Sequence, residues 1–273
     1  MQFETIKLVQ DGAVLFATLS APPINLMGPE LVRDLALLIQ HVEASEALRV
    51  LVFRSSNPDF FISHVDVTQI RENREAAAKS MGETSLAALF RRLSTSRVVS
   101  IAQIEGRVRG VGSEFILACD MRFAARESAV FGQFESAFGV IPGAGGAQHL
   151  ARLMGRSRAL EVMLGAEDYN AAQAERYGWI NRALPAASLG MFIESLARRI
   201  ASFPVEGLAT IKERVNAVTL PSGEDFRQDG LLFLDGLRSS ESQRRLQLAI
   251  KLGFQTRSVE MELAGMLGDL ASP

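Results

Sequence analysis

The feature that most narrows the fold is a change of hydrophobic period partway along the chain. Up to about residue 145, short extended apolar runs alternate with stretches of helical spacing; beyond it nearly every stretch reads as helix. AVLFATLSAP, residues 13–22, is an extended apolar run that ends at the breaker Ala21-Pro22-Pro23. Residues 28–44 then carry Leu31, Leu35, Leu38 and Val42 at helical spacing, with Pro29 near the first turn. LRVLVFRSS (48–56) and VVSIAQIEG (98–106) read as buried strands, and between them residues 84–95 place Leu86, Leu89, Phe90 and Leu93 on one helical face. MQFETIKLVQ reads as the first strand, and DMRFAA and AVFGQF as later short ones. This alternation predicts an α/β domain with helices covering the sheets.

The second half predicts helices near 147–154, 156–164, 171–177, 187–202, 206–217, 222–238 and 240–268, with one short strand in GWINRAL. Gly155, Gly165 and Gly178 act as helix stops. No low-complexity segment or short repeat is visible. Leu231, Leu232, Phe233, Leu234 and Leu237 make the terminal helices apolar enough to require a packing partner, either the chain's own core or a neighbouring subunit.

Composition excludes several classes. The 273 residues are 48% hydrophobic, enough for one large domain with a sizeable core. A formal net charge of −2 implies neither a nucleic-acid footprint nor a polybasic membrane patch. Cys119 is the single cysteine, so no intramolecular disulfide forms, and its apolar setting marks it as a small core residue. The N-terminus lacks a basic stretch leading into an apolar one, and no window approaches the ~20 apolar residues of a membrane span. The three histidines and the cysteine match no metal-ligand spacing. A soluble, cytoplasmic protein without metal or cofactor is expected.

Two carboxylates stand out by context. In GVGSEFILACD (110–120), Glu114 follows two glycines and leads into an apolar run, and burying a lone carboxylate is costly unless it is paired or hydrogen-bonded. Glu135 sits among apolar residues in FGQFESAFGVIPGAGGAQHL, ahead of a glycine-rich turn. Paired carboxyls in an apolar pocket separate in proton affinity and suit acid–base work; two unrelated salt-bridged or surface glutamates are the plainer alternative. Gly110 and Gly112 precede a helix expected to start near Ser113, whose free N–H groups, Val111's among them, suit an anion or a developing oxyanion. A tight turn with no such role fits a Gly-x-Gly equally well.

Over nearly its full length the chain resembles the crotonase superfamily of enoyl-CoA hydratases and isomerases. LSAPPINLMGPELVRDL is similar to the family's first strand, loop and helix, and FRSSNPDFFISHVDV falls at its acyl-CoA loop. IEGRVRGVGSEFILACDMRFAA, FGQFESAFGVIPGAGGAQHLARLMG and YNAAQAERYGWINRALP are similar to its glycine-rich turn with the first glutamate, its second glutamate segment, and the helix and strand that follow. The resemblance implies an α/β fold: a ββα spiral core over 1–200 and a C-terminal helical, trimer-forming region over 201–273. It places Glu114 and Glu135 on the two catalytic glutamates, and Val65 and Val111 on the two backbone N–H groups of an oxyanion hole. Ser63, His64, Asp66, Gly110, Phe134 and Gly143 are placed against substrate. It implies hydration of a trans-2-enoyl-CoA, with an acyl-CoA thioester as substrate and a homotrimer or homohexamer as assembly. Other acyl-CoA chemistry on the same scaffold, isomerisation or thioester hydrolysis, is the alternative, as is a non-catalytic acyl-CoA-binding subunit.

The match departs at four points. His64 and Val111 stand where the family usually has glycine, and a β-branched valine disfavours positive φ. His64 is thus either a new polar group near the thioester or a space-filling residue of a surface loop. Phe134 replaces a frequent proline beside Glu135, and RSSESQRRLQLAIKLGFQTR matches the family's end only loosely. His41 and His149 read as ordinary helix-face residues.

Overall fold

A computed structural model of the chain describes residues 3–82 and 85–270. Among the described residues ten strands run β1 (Ile6–Asp11), β2 (Val14–Leu19), β3 (Val50–Ser55), β4 (Phe60–Ile62), β5 (Val99–Ile104), β6 (Arg107–Arg109), β7 (Met121–Ala125), β8 (Val130–Gly132), β9 (Tyr169–Asn170) and β10 (Arg182–Leu184). The first half supplies helices α1 (Pro29–Ala44), α2 (Ile70–Met81), α3 (Leu86–Thr95) and α4 (Val111–Ala118). The second half supplies α5 (Gly146–Met154), α6 (Arg156–Gly165), α7 (Ala171–Tyr177), α8 (Ala186–Ala201), α9 (Val205–Thr219), α10 (Gly223–Leu237), α11 (Ser240–Lys251), α12 (Arg257–Met261) and α13 (Leu263–Asp269). Thr84, at the start of one expected helix, and residues 271–273 of the expected C-terminal region lie outside the described residues.

The strands form a six-stranded sheet in the order β1-β2-β3-β5-β7-β10 and a four-stranded sheet in the order β4-β6-β8-β9. Only the first pair of the large sheet and the last of the small one are antiparallel. Each turn of chain adds one strand to the large sheet and the next to the small one: β3 then β4, β5 then β6, β7 then β8, with helices on the return. This is the expected ββα spiral. The small-sheet strands of two or three residues carry no readable period, which is why β4, β6 and β9 escape the sequence reading.

The inner strands β2, β3 and β5 of the large sheet are buried on both faces, as their mostly apolar sequences require, while the edge strand β1 is largely exposed. Val14, Phe16, Val50, Val52, Val99 and Ile101 pack with Leu189, Ile193 and Ala197 of α8. Their neighbours Leu15, Ala17, Leu51, Phe53 and Ala102 point into the main core with α1, α3 and α4. Asp34, buried on α1, receives Glu4 and Thr5 backbone N–H bonds at 2.7 Å each and tethers the N-terminal strand. No helix of the described residues is long and apolar enough to cross a membrane.

Two boundaries differ from expectation. Helix α4 starts at Val111 rather than near Ser113, with Gly110 as its N-cap. The helix expected over 240–268 is interrupted: α11 ends at Lys251, the chain turns through Gly253 (φ 96°) and Gln255 (φ 69°), and α12 and α13 follow. That interruption drives Phe254 into an apolar cluster with Phe134, Phe138, Leu263 and Leu267, so the C-terminal segment closes one side of the site.

Candidate active site

A cavity of about 450 Å³ opens between the two sheets' loops and the C-terminal helices. Eight of the ten residues expected at the site line it: His64, Val65, Gly110, Val111, Glu114, Phe134, Glu135 and Gly143. Ser63 and Asp66 do not, which corrects their expected substrate contact. The Ser63 hydroxyl is fully buried and donates to the Ile24 carbonyl. Asp66 is saturated by protein: Oδ1 accepts from the Thr68 hydroxyl at 2.6 Å and Gln255 Nε2 at 3.0 Å, and Oδ2 from Gln69 Nε2 at 2.7 Å. The loop's aspartate organises the wall instead of reaching the cavity.

Glu114, on the first turn of α4, is 2% exposed. Its Oε1 accepts the Ala144 N–H at 2.6 Å and the Gly146 N–H at 2.9 Å. Those donors belong to the Pro-Gly-x-Gly-Gly turn and the start of α5, so the carboxyl is held by the next helix's N-terminus and not by its own. Burial, and then the charge of Glu135, push its proton affinity well above that of an ordinary carboxyl, and the two N–H bonds offset only part of this. The second glutamate therefore adds to the burial penalty rather than relieving it.

Glu135 opens the 3₁₀ turn Glu135–Phe138. Gln133 Nε2 donates to both of its carboxyl oxygens at 3.0 Å. Burial raises Glu135 to about 7, against the pull of its own backbone N–H, Gln133 and His64. The native state thus binds this proton more tightly than the unfolded chain does, and the associated stability is complete below about pH 4.5 and lost as pH rises through about 7. The Glu135→Gln variant is expected to lack this loss and to be more stable than the parent at pH 8. Denaturant titrations of both proteins at pH 5 and pH 8 check it; an equal decline in both removes the buried Glu135 charge as its cause.

The two backbone N–H groups expected as oxyanion donors are those of Val65 and Val111. Gly110 adopts φ 50°, and a Cβ there would sit 3.2 Å from Glu135 Oε1 and 3.3 Å from His64 Cβ. At Gly112 a Cβ would lie 2.4 Å from the Ile62 carbonyl oxygen, so only glycine lets α4 seat against β4. Val111 is the first helical residue and has no positive φ, nor has His64; the two departures from glycine need no strained backbone. Among the described hydrogen bonds, neither the Val65 nor the Val111 N–H has an acceptor. Val65 is bracketed by Met27, whose N–H donates to the His64 carbonyl at 2.8 Å and whose carbonyl accepts from Asp66 N–H at 3.1 Å. Because a trans peptide points its C=O and N–H oppositely, the Val65 N–H is directed away from Met27.

His64 corrects the surface-loop alternative: it is 1% exposed. Its ring stacks on Phe254 with centroids 4.4 Å apart and meets Phe134 edge-on at 5.5 Å. Its Nε2 lies 2.8 Å from Glu260 Oε1, in α12. Of the other histidines, His41 is exposed, and His149 packs beside Phe226, where burial lowers it to about 4. Sequence reasoning missed Gln133, Phe254, Gln255 and Glu260. The signal available for the last three was Gly253, a helix stop of the kind read elsewhere in the chain.

Residues 10–246 match the enoyl-CoA hydratase/isomerase family. The chain belongs to that family. It is 30% identical over 246 residues to the "Probable enoyl-CoA hydratase" of Rhizobium meliloti (strain 1021), covering 89% of this chain and 93% of that protein. To the "Short-chain-enoyl-CoA hydratase" of Clostridium acetobutylicum it is 25% identical over 217 residues, 79% of this chain and 82% of the relative. The crystal structure of a "putative enoyl-CoA hydratase" from Streptomyces avermitilis superposes with a TM-score of 0.96 at 48% identity, covering 98% of both chains. The family's fold is therefore that of this chain, and its two expected glutamates meet in one buried cavity.

Proposed function

We propose that this protein hydrates a trans-2-enoyl-CoA, and the observation that carries the reading is the burial of Glu114 and Glu135 in one cavity beside two unpaired backbone N–H groups. The thioester carbonyl accepts from the N–H groups of Val65 and Val111, which draws electron density from the conjugated double bond and stabilises an enolate-like transition state; one such donor is worth about 3 kcal/mol. A water between the carboxyls attacks the β-carbon. One carboxylate takes its proton, and a proton is delivered to the α-carbon. The C=C π bond and a water O–H bond break while C–O and C–H bonds form, so the step balances with water alone and calls on no metal or redox cofactor.

The pairing supports this division of labour, since burial and then the charge of Glu135 raise the proton affinity of Glu114, which suits a pair in which one carboxyl gives a proton and the other takes one. Phe134, Phe138, Phe233 and Leu237 line the remaining wall and suit the acyl chain. Exposed Ile211, Val215 and Val218 on α9, a helix without buried residues, fit the expected subunit contact of a trimer or hexamer.

Loss of the conjugated enoyl-thioester absorbance with crotonyl-CoA and longer 2-enoyl-CoAs tests the reading. Turnover of at least one is expected. Turnover of a 3-enoyl-CoA without hydration makes the chain an isomerase, and CoA-thioester binding without any turnover makes it a binding subunit.

A further inference from the structure

Both ring nitrogens of His64 face acceptors: the Val65 carbonyl oxygen, and Oε1 of Glu260, which already accepts the Gln255 N–H at 3.1 Å and belongs to a carboxyl kept ionised by the Arg109 guanidinium 3.8 Å from its other oxygen. Nε2 is 2.8 Å from Glu260 Oε1, and Nδ1 is 2.8 Å from the Val65 carbonyl oxygen. A neutral imidazole has one N–H and one lone pair, so in either tautomer one lone pair would face another at hydrogen-bond distance in a site without exposure. Beside an ionised Glu260 only the imidazolium satisfies both contacts. Its surroundings suit a cation: Phe254 stacks parallel on the ring, interplanar angle 4°, and Glu260 is fully buried. The charged groups facing it from other elements are Glu260 on α12 and Glu135 in the 3₁₀ turn; Arg109 on β6 lies behind Glu260, its Nη1 3.8 Å from Oε2. Arg109 is itself held by a bidentate pair with Asp168, at 2.7 and 2.6 Å, and donates Nη1–H to the Glu260 carbonyl at 2.8 Å.

We propose that His64 is a permanently charged positioning residue: locked as an imidazolium between Glu260 and the Val65 carbonyl, it fixes the Val65 backbone and places a positive charge beside Glu135 and the developing oxyanion. The assignment of the oxyanion rests on the hydration reading; the charge state and its effect on Glu135 do not. With both nitrogens occupied, His64 has no lone pair to offer substrate and is not an acid or base in the reaction. The pair also makes the C-terminal segment part of the site. Glu260 reaches His64 only because the chain breaks at Gly253, where Gln255 N–H bonds Glu260 Oε1 at 3.1 Å and the Gln255 side-chain oxygen accepts from Val67 N–H at 2.9 Å. The charge of His64 is among the influences that pull Glu135 down from where burial alone would put it.

The test reads the ring directly. With ring-¹⁵N histidine there are three residues to resolve, and His64→Gln assigns the signal. Two protonated nitrogens are expected from pH 6 to pH 8.5; one unprotonated nitrogen at pH 7 overturns the proposal. In Glu260→Gln, an isosteric change that keeps an acceptor but removes the charge, His64 is expected to lose its second proton by pH 8. The Glu135 carboxyl, followed by ¹³C NMR, then titrates higher by about one pH unit, a tenfold rise in proton affinity. The acidic limb of kcat/KM moves with it, and kcat falls roughly tenfold while KM changes little. A Glu135 titration unmoved in both variants overturns the electrostatic role. The NMR arms hold whatever reaction the enzyme runs, so their failure is distinct from a failure to hydrate enoyl-CoA.

Discussion

Glu114→Gln and Glu135→Gln each lower kcat/KM for enoyl-CoA hydration by about 10²- to 10⁴-fold, the range for removing a positioned acid or base. The double variant is expected to be little worse than the poorer single one. In the proposed mechanism the two carboxyls act on one water, so removing either disables the unit, and groups that act together are strongly non-additive. Initial rates of the three variants, each shown folded by its thermal transition, decide it. Retention of more than about a tenth of parent activity by either single variant removes that carboxyl from the proton transfers. The geometry gives the amide substitutions a fair chance of folding. Gln133 still has an acceptor at position 135, and the Ala144 and Gly146 N–H groups still have one at position 114. Gain of stability with loss of turnover in Glu135→Gln would match a carboxylate whose burial is tolerated for function.

Val111→Pro tests the oxyanion donor without touching the carboxyls. Val111 is the first residue of α4, where proline is favoured because the N–H has no intrahelical partner. The residue before it is Gly110, without the Cβ that usually clashes with a proline ring. Proline there deletes one N–H and leaves the helix intact, so kcat is expected to fall about 10²- to 10³-fold with the thermal transition nearly unchanged. Val111→Ala keeps the N–H and is expected to stay within a few-fold of the parent. Comparable loss in the alanine variant would assign the effect to packing, and full activity in the proline variant would remove Val111 from the oxyanion site.

Much of this site is readable in one dimension because its parts are local. The glycines at 110 and 112, the helix they open, and the carboxyl on its first turn lie within five residues. Local steric demands write themselves into adjacent positions: a positive φ at Gly110 and a 2.4 Å approach at Gly112 admit no other residue. The inner strands of the large sheet are equally legible, since six residues with both faces buried give a mostly apolar run. The two- and three-residue strands β4, β6 and β9 are too short to show any period, and the repeat of the spiral is one of backbone path rather than of residues.

By itself the sequence determined the α/β class, the inner strands of the large sheet and the helical second half, because burial and backbone sterics act residue by residue; the two glutamates it marked by their apolar context and by the family resemblance. Only the tertiary structure decided what holds those glutamates and what charges the site. Glu114 is held by N–H groups thirty and thirty-two positions away, and His64 by a carboxylate 196 positions away. A buried charge selects its partner by distance in space, and an acidic residue in an amphipathic helix such as Glu260 looks like any solvated one until the chain folds it against an imidazole.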